Sequence, residues 1–452
     1  MQTINATPFP LLLRESEGDG SSPAVTCILK ATFDLVPDGP CTPARTQRKP
    51  EGDLRHMDEL GRSLSWATDF APYKPHTDVL IQGSFHQPGG LAAPTGRAGF
   101  ELGPLRKELL IHGPRFATPA PPGGLSGRWS VSAATPIVSL PLRWEYSYGG
   151  LNDRRNPMGR GQDVLTGPDG RRQVPLPQIE HPDHPLRLLT ERPPPANFAP
   201  VPPGFAERRA KLGTRDRRWS TFRAPLPPAD FDPSYHNAAP AGQQAGNYPR
   251  GDELLTLRNL HPRHPVLRTY LPGLRASLAV LWEVDGRASA EVVPMNLDTI
   301  VALPDEDQLV LVWRGNAPLR DGRDMAALTA VACEAEPLAA PPARPDLAAR
   351  LLAGWRAERE QLEAQAAAQA AQVAAQAELR ARAEAAQAAL LAATMGEVRR
   401  MLGKVSLPAA LRKVVETETD PQLLYDHLDR YVTETLAEIE ARHPGLLPGR
   451  GP

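Results

Sequence analysis

Apolar and polar residues alternate through the first third of the chain in the rhythm of a β-strand with one face buried. Over residues 25–35, Val25, Cys27, Leu29, Ala31, Phe33 and Leu35 share one face and Thr26, Lys30, Thr32 and Asp34 take the other, before a turn at 37–39. Val79, Ile81 and Phe85 repeat the pattern up to Pro88-Gly89-Gly90, and Leu105, Lys107, Leu109 and Ile111 repeat it up to Gly113-Pro114. Residues 137–148 read as a further strand closed by Gly149-Gly150. Later, Leu278, Val280, Trp282 and Val284 lead through Asp285-Gly286 into a returning strand at 288–293, and 300–303 with 309–313 make a second hairpin. Short strands with this punctuation predict a mainly β fold, an antiparallel sandwich or barrel-like body.

Between about 151 and 250 the periodicity fades and proline takes over, as in Pro193-Pro194-Pro195, which suits neither helix nor interior strand. The stretch still carries Phe198, Phe205, Trp219, Phe222, Phe231 and Tyr235, aromatic residues that disordered segments lack. Ordered, Pro-rich irregular loops laid over the sheets are therefore expected. After 335 the pattern changes again. Residues 336–352 read as a Pro/Ala linker. Residues 355–394 then contain neither Gly nor Pro, and 18 of these 40 residues are Ala. That predicts a long helix over 353–400, roughly 60 Å for 40 residues, with interruptions at Gly396 and Gly403. Its apolar residues (Leu362, Val373, Leu379, Leu390, Leu391) keep no heptad. A small helical segment follows over 401–452, capped by Asp420 with Pro421 in the first turn. The expected organisation is a β-rich domain over 1–335, the linker and a C-terminal α-helical module.

Composition sharpens this picture at two points. The 51 prolines and 36 glycines of 452 residues, about 19% against a usual ~12%, favour many turns and short elements. The 51 Lys+Arg and 52 Asp+Glu leave a net charge of −1, which argues against a nucleic-acid or membrane-surface binder. No apolar run reaches the ~18 residues of a membrane span and no secretory signal is visible, so a cytoplasmic location is expected. Three cysteines, Cys27, Cys41 and Cys333, fit neither a disulfide framework nor a zinc site.

Catalytic signatures such as a G-x-S-x-G elbow, a phosphate loop or H-E-x-x-H are absent from the sequence. Neither a cofactor nor a metal is expected. His181-Pro-Asp183-His184 and His261-Pro-Arg263-His264 are the nearest approach to metal spacing, but Pro-containing loops give an i,i+3 pair no common face. The run Asp69-Phe70-Ala71-Pro72-Tyr73-Lys74-Pro75-His76-Thr77-Asp78 crowds acids, lysine, tyrosine and histidine before a strand. It could be an acid–base site around Asp69, His76 and Asp78, a recognition loop offering Tyr73 and Lys74, or a loop whose charges pair and cap backbone groups. Asn152 to Gly161 (NDRRNPMGRG) could nest an anion or form a wide turn whose arginines bond loop carbonyls. Residues 207–223 carry seven basic residues against two acids, with Trp219 and Phe222 interleaved. Arg215, Arg217, Arg218, Trp219 and Phe222 are the leading candidates to grip an acidic protein partner; the plainer alternative is a solvated, partly paired face.

A set of ordered motifs then carries a family resemblance. These are INATPF from Ile4, KATFD from Lys30, ATDFAPYKPHTDVLIQG from Ala67, GPLRKELLIHGPR from Gly103, PLRWEYSYGG from Pro141, NPMGRG from Asn156 and LPQIEHP from Leu176. ADFDPSYHNAAP from Ala229, YPRGDELLTLRNLHP from Tyr248 and LDTIVALPDEDQLVLVWRG from Leu297 follow. Over roughly residues 1–320 the chain resembles a proteobacterial domain-of-unknown-function family encoded in type VI secretion clusters. The resemblance implies an effector adaptor or chaperone, a cytoplasmic protein that binds a toxic effector and helps load it onto the spike stem or tip. It implies no catalytic residues. The rival expectations are a hydrolytic enzyme with a site near Asp69–Asp78, and a structural component secreted with the spike.

Overall fold

The computed structural model describes residues 2–18, 22–59, 61–119, 129–167, 170–339 and 344–444. In chain order its main strands are β1 (Gln2–Asn5), β2 (Leu11–Ser16), β3 (Ala24–Asp34), β4 (Thr77–Ile81), β5 (Thr95–Leu102) and β6 (Leu105–His112). After the irregular middle come β7 (Leu254–Arg258), β8 (Val266–Tyr270), β9 (Leu274–Val284), β10 (Arg287–Val293), β11 (Asn296–Leu303), β12 (Gln308–Pro318) and β13 (Leu328–Pro337).

Three sheets enclose the core. The largest runs β4-β11-β12-β3-β2, with Gln244–Ala245 added beside β4; a second runs β1-β13-β9-β10; the third runs β6-β5-β7-β8. Most pairings are antiparallel, as the turn spacing predicts. Within these three sheets two described pairings are parallel, β1 with β13 and β4 with β11, and each joins segments distant in the chain. The inward face of β3 (Val25, Cys27, Leu29, Ala31, Phe33) meets Leu278, Val280 and Trp282 of β9, Phe100 of β5 and Leu309, Leu311 and Trp313 of β12 in one continuous core. The hairpin turns have the required chemistry. Asp285 and Gly286 both take positive φ (50° and 72°), and Asp307 closes the β11–β12 turn at φ 56°.

Two expectations change. Residues 137–148 do not form one strand: Ser139–Pro141 pairs as a short strand, Ile137, Ser147 and Tyr148 make separate bridges to Ala93, Ile179 and Arg160, and Trp144–Tyr146 makes a single helical turn. Trp144 is drawn out of the sheet because its indole N–H donates to the carbonyls of Ala199 and Pro200 and its ring packs edge-on against Phe205. Second, the polar face of β3 is not a solvent face. Thr26, Lys30 and Thr32 are buried, because the segments around 47–78 and 237–239 lie over that side of the sheet.

The chain divides into two compact units, residues 1–355 and 356–452. Within the first, a short helix α1 (Arg217–Phe222) stands in the irregular region. A 59-residue helix, α2 (Arg344–Leu402), begins in the first unit, so within the expected 336–352 linker residues 336–337 end a strand and 344–352 start this helix, while 340–343 lie outside the described residues. Leu347 and Leu351 there are buried against Ala279, Leu281, Ala330 and Ala332 of β9 and β13. In the second unit α2 continues, followed by α3 (Ala409–Thr417) and α4 (Pro421–Arg442). Met395, Val415 and Leu424 form its small core. Gly396 does not interrupt α2: packing of Met395, Val398 and Leu402 beside it outweighs a glycine cost of about 1 kcal/mol. Asp420 caps α4 through the N–H groups of Gln422 and Leu423, as its position predicts.

Candidate functional site

The 67–78 segment is stapled onto the outer face of the largest sheet by buried charge. Lys30 Nζ lies 2.8 Å from Asp69 Oδ2 and 4.1 Å from the Trp66 ring centre, and it also reaches Glu51 Oε1 at 3.2 Å. Asp69 Oδ2 accepts further bonds from the Trp66 indole and the Glu51 N–H. Beside it, Arg314 Nε donates to Asp298 Oδ2 at 2.6 Å, while Arg314 Nη1 holds the carbonyls of Asp69 and Ala71. Lys74 Nζ donates to Asp78 Oδ2 (2.9 Å) and Thr299 Oγ1 (2.8 Å). Asp78 also accepts from Asn237 Nδ2 and from the N–H groups of Ala238 and Ala239. Asp69 and Asp78 are thus occupied in fastening loops to strands. Lys74 is 3% exposed, its ammonium held by Asp78 and Thr299, and it borders the polar cleft that this staple frames. His76 contributes its carbonyl to Asn237.

The same staple frames a polar cleft of about 400 Å³ lined by Tyr73, Tyr248, Asn296, Asp298, Arg314 and Asn316, among others. Three motifs distant in sequence meet there: APYKPH, YPRGD and the WRG that ends the Leu297 motif. Tyr248 Oη donates to the Lys74 carbonyl at 2.6 Å, and burial together with neighbouring Tyr73 pushes the Tyr248 hydroxyl pKa upward. Tyr248 and Arg314 were not singled out by side-chain chemistry in the sequence. The available signal was that both sit in the family-like motifs.

The basic run at 207–223 separates into an inward and an outward part. Arg208 is buried, its guanidinium donating to the carbonyls of Tyr235 and Val201 and lying over the Tyr235 ring. Asp216 accepts from the Trp219 N–H at 2.8 Å and so starts α1. Trp219 is half-buried, its indole donating to the Leu226 carbonyl while Arg215 stacks on its ring at 5.4 Å. Arg217 and Arg218 are exposed, and Phe222 is 83% exposed. Trp219 is therefore the anchor of this element, and Arg217, Arg218 and Phe222 are its outward groups. None of these residues lines the Tyr73 cleft.

The remaining candidates serve the fold. His181 and His184 stack 5.1 Å apart, and His261 Nε2 sits 2.7 Å from an Asp307 carboxylate that Arg263 also grips. Among the described residues no group of three or more His, Cys, Asp or Glu is placed to hold a metal. In NDRRNPMGRG, Arg155 pairs with Asp153, Arg160 bonds the Glu145 carbonyl over the Tyr146 ring, and Asn156 Nδ2 ties the carbonyls of Trp144 and Tyr148. It is a wide turn that its own side chains close. Lys107, on β6, donates to the carbonyl of Asn197 and to Gln243 Oε1, pinning the irregular region to the third sheet; burial pushes its pKa down to about 7.

No described helix is long and apolar enough to cross a membrane. No curated protein and no solved structure matches the chain. A family model described as an uncharacterized protein conserved in bacteria (DUF2169) matches residues 20–314, from before β3 into β12, and so covers β3, both loop staples, α1 and part of the cleft lining, with Asn316 outside it. The chain belongs to that bacterial family.

Proposed function

We propose that this protein is a noncovalent effector adaptor of type VI secretion: in the cytoplasm it holds a toxic effector and brings it to the spike stem or tip. The family resemblance of the motifs motivates the secretion context. The observation that carries binding over catalysis is the division of polar groups. The acids best suited to proton transfer, Asp69 and Asp78, are engaged in holding loops, whereas Arg217, Arg218 and Phe222 project from a capped helix. An exposed aromatic ring that shares a short helix with arginines has the composition of a binding hot spot, and ordering in advance lowers the entropy lost on binding.

The test is recovery of tagged wild-type protein and the Phe222→Ala/Arg217→Glu/Arg218→Glu variant from a host expressing its secretion cluster. Wild type is expected to bring down one toxin-like protein and a spike component, and the variant to lose the toxin while melting at the wild-type temperature. Undiminished recovery by the variant rejects this surface. Wild type free of both partners rejects the adaptor reading.

A further inference from the structure

The largest sheet ends at β2, whose outer edge is open among the described residues. There β3 is the only strand paired with β2, antiparallel, from Leu11 opposite Leu29 to Ser16 opposite Ala24. Just before β2, the Lys30 N–H donates to the Pro10 carbonyl at 3.1 Å. Hydrogen-bonded and non-hydrogen-bonded pairs alternate along an antiparallel ladder, so Leu12, Arg14 and Ser16 turn their backbone groups toward β3. Leu11, Leu13 and Glu15 turn theirs outward, and these N–H and C=O groups have no partner among the described residues. The strand is apolar on both faces. Leu11 and Leu13 are half-buried against the main core, and on the other face Leu12 packs, as Phe70 does, against the cluster that holds Ile28, Val310 and Val312.

Other sheet edges carry protection that β2 lacks. β8 is covered by residues 38–41: the Asp38 N–H donates to the Arg268 carbonyl, the Tyr270 N–H to the Gly39 carbonyl and the Cys41 N–H to the Tyr270 carbonyl. The far edge of the largest sheet is the two-residue strand Gln244–Ala245, β10 bears Arg287 and Glu291, and β1 is only four residues long. β2 has neither Pro nor Lys, and Arg14 and Glu15 lie toward one end of it. A long apolar edge without such devices is a template for a further strand. Self-complementarity selects that strand. A two-fold axis at Leu13 sets Leu13 opposite its own counterpart and Leu11 opposite Glu15, which engages every outward backbone group. In this register Leu12 stands opposite Arg14, no like charges face each other, and the apolar layers on both faces continue across the junction. We infer that β2 pairs antiparallel with β2 of a second copy of this chain, joining two of the largest sheets into one. Neither α1 nor the secretion context enters this argument, so it stands or falls separately from the adaptor reading.

Sedimentation velocity of the purified full-length protein over a dilution series is expected to show a reversible dimer. Residue-resolved hydrogen exchange of the wild type should find the Leu11, Leu13 and Glu15 amides protected at high concentration and released on dilution. The Leu12 and Arg14 amides, bonded to β3, should stay protected throughout. Glu15→Pro deletes an outward N–H and leaves the β2–β3 ladder intact, a place where an edge strand tolerates proline. It should raise the dimer dissociation constant at least tenfold while keeping a cooperative melt. Glu15→Ala retains the N–H and should dimerise like wild type. A wild type that is monomeric at every concentration overturns the inference, even if a different protein pairs with β2. So does a dimer whose outward amides exchange freely, or one indifferent to Glu15→Pro, because its interface then lies elsewhere. Equal weakening by Glu15→Pro and Glu15→Ala also overturns it, since the contact is then made by the side chain. If Glu15→Pro fails to fold, the exchange pattern of the wild type decides by itself.

Discussion

Lys30 Nζ and Asp69 Oδ2 meet at 2.8 Å with both side chains almost wholly buried, at the point where the central strand β3 passes beneath the 67–78 segment. The ammonium is further compensated by the Lys49 carbonyl and the Trp66 ring. A buried pair of this kind adds modest net stability against an apolar alternative, but removing Asp69 leaves the Lys30 ammonium with Glu51, itself partly exposed, as its remaining counter-charge. The pair therefore dictates where the segment attaches.

Asp69→Asn is accordingly expected to lower unfolding free energy by about 1.5–3 kcal/mol, the scale of a hydrogen bond to a charged group, because Glu51 still partners the ammonium. Lys30→Met combined with Asp69→Leu should lose much less than the sum of the single changes. Urea denaturation of Asp69→Asn, of Lys30→Met and Asp69→Leu singly, and of their double variant measures both quantities, and additive losses would show that the two side chains are not coupled.

His236 lies among Phe231, Tyr235 and the cations Arg208, Lys74 and Arg314. Burial first, and then those cations, push its pKa down to about 3. The folded state thus keeps the imidazole neutral while the unfolded chain protonates it near its ordinary ~6.5. Between those values the unfolded state binds the extra proton, so stability falls as pH drops below about 6.5, by at most about 1.4 kcal/mol per unit, and this contribution levels off near pH 3. His236→Phe should flatten that part of the acid slope between pH 6.5 and 4, read from denaturation midpoints against wild type.

Gly159 packs where the NPMGRG turn folds back on β-like residues after Trp144. A Cβ there would stand 2.5 Å from Asn156 Nδ2 and 2.7 Å from the Ser147 carbonyl oxygen. Gly159→Ala is expected to cost about 1–3 kcal/mol through forced backbone shifts. Gly204→Ala, whose Cβ would meet nothing within 4 Å, is the control and should stay within about 0.5 kcal/mol of wild type.

Leu347 and Leu351 cover the outer side of β9 and β13. A chain ending at Trp355 should retain the cooperative melting of the first unit. A chain ending at residue 338 loses both leucines, each contributing about 1.5–3 kcal/mol of burial, and exposes Ala279, Leu281, Ala330 and Ala332. It should melt lower and associate in sedimentation. Equal melting of the two truncations would show that the start of α2 is not part of the β unit.

Local regularities were legible from composition and spacing. The β3 alternation, the Asp285-Gly286 turn, the Ala-rich helix and the Asp420 cap all depend on residues within a few positions of one another. The 137–148 pattern misled because the hydrogen bonds of Trp144 go to Ala199 and Pro200, more than fifty residues away. For the candidate sites, exposure was the missing quantity. Lys74 and Trp219 have equal claims as binding residues by type, yet the first is buried against Asp78 and the second is pinned by Leu226, leaving Arg217, Arg218 and Phe222 outward.

What the sequence by itself determined, then, is which segments become strands, turns and helices, because alternation, φ preference and capping act over a few residues. Only the tertiary structure decided which polar groups become interior. Lys30, Asp69, Asp78 and Arg314 are buried because segments from 47–78 and 237–239 cross the outer face of a sheet whose strands come from both ends of the β unit. The free energy of a charge depends on its neighbours in space, and those neighbours are set by pairings such as β4 with β11, more than two hundred residues apart.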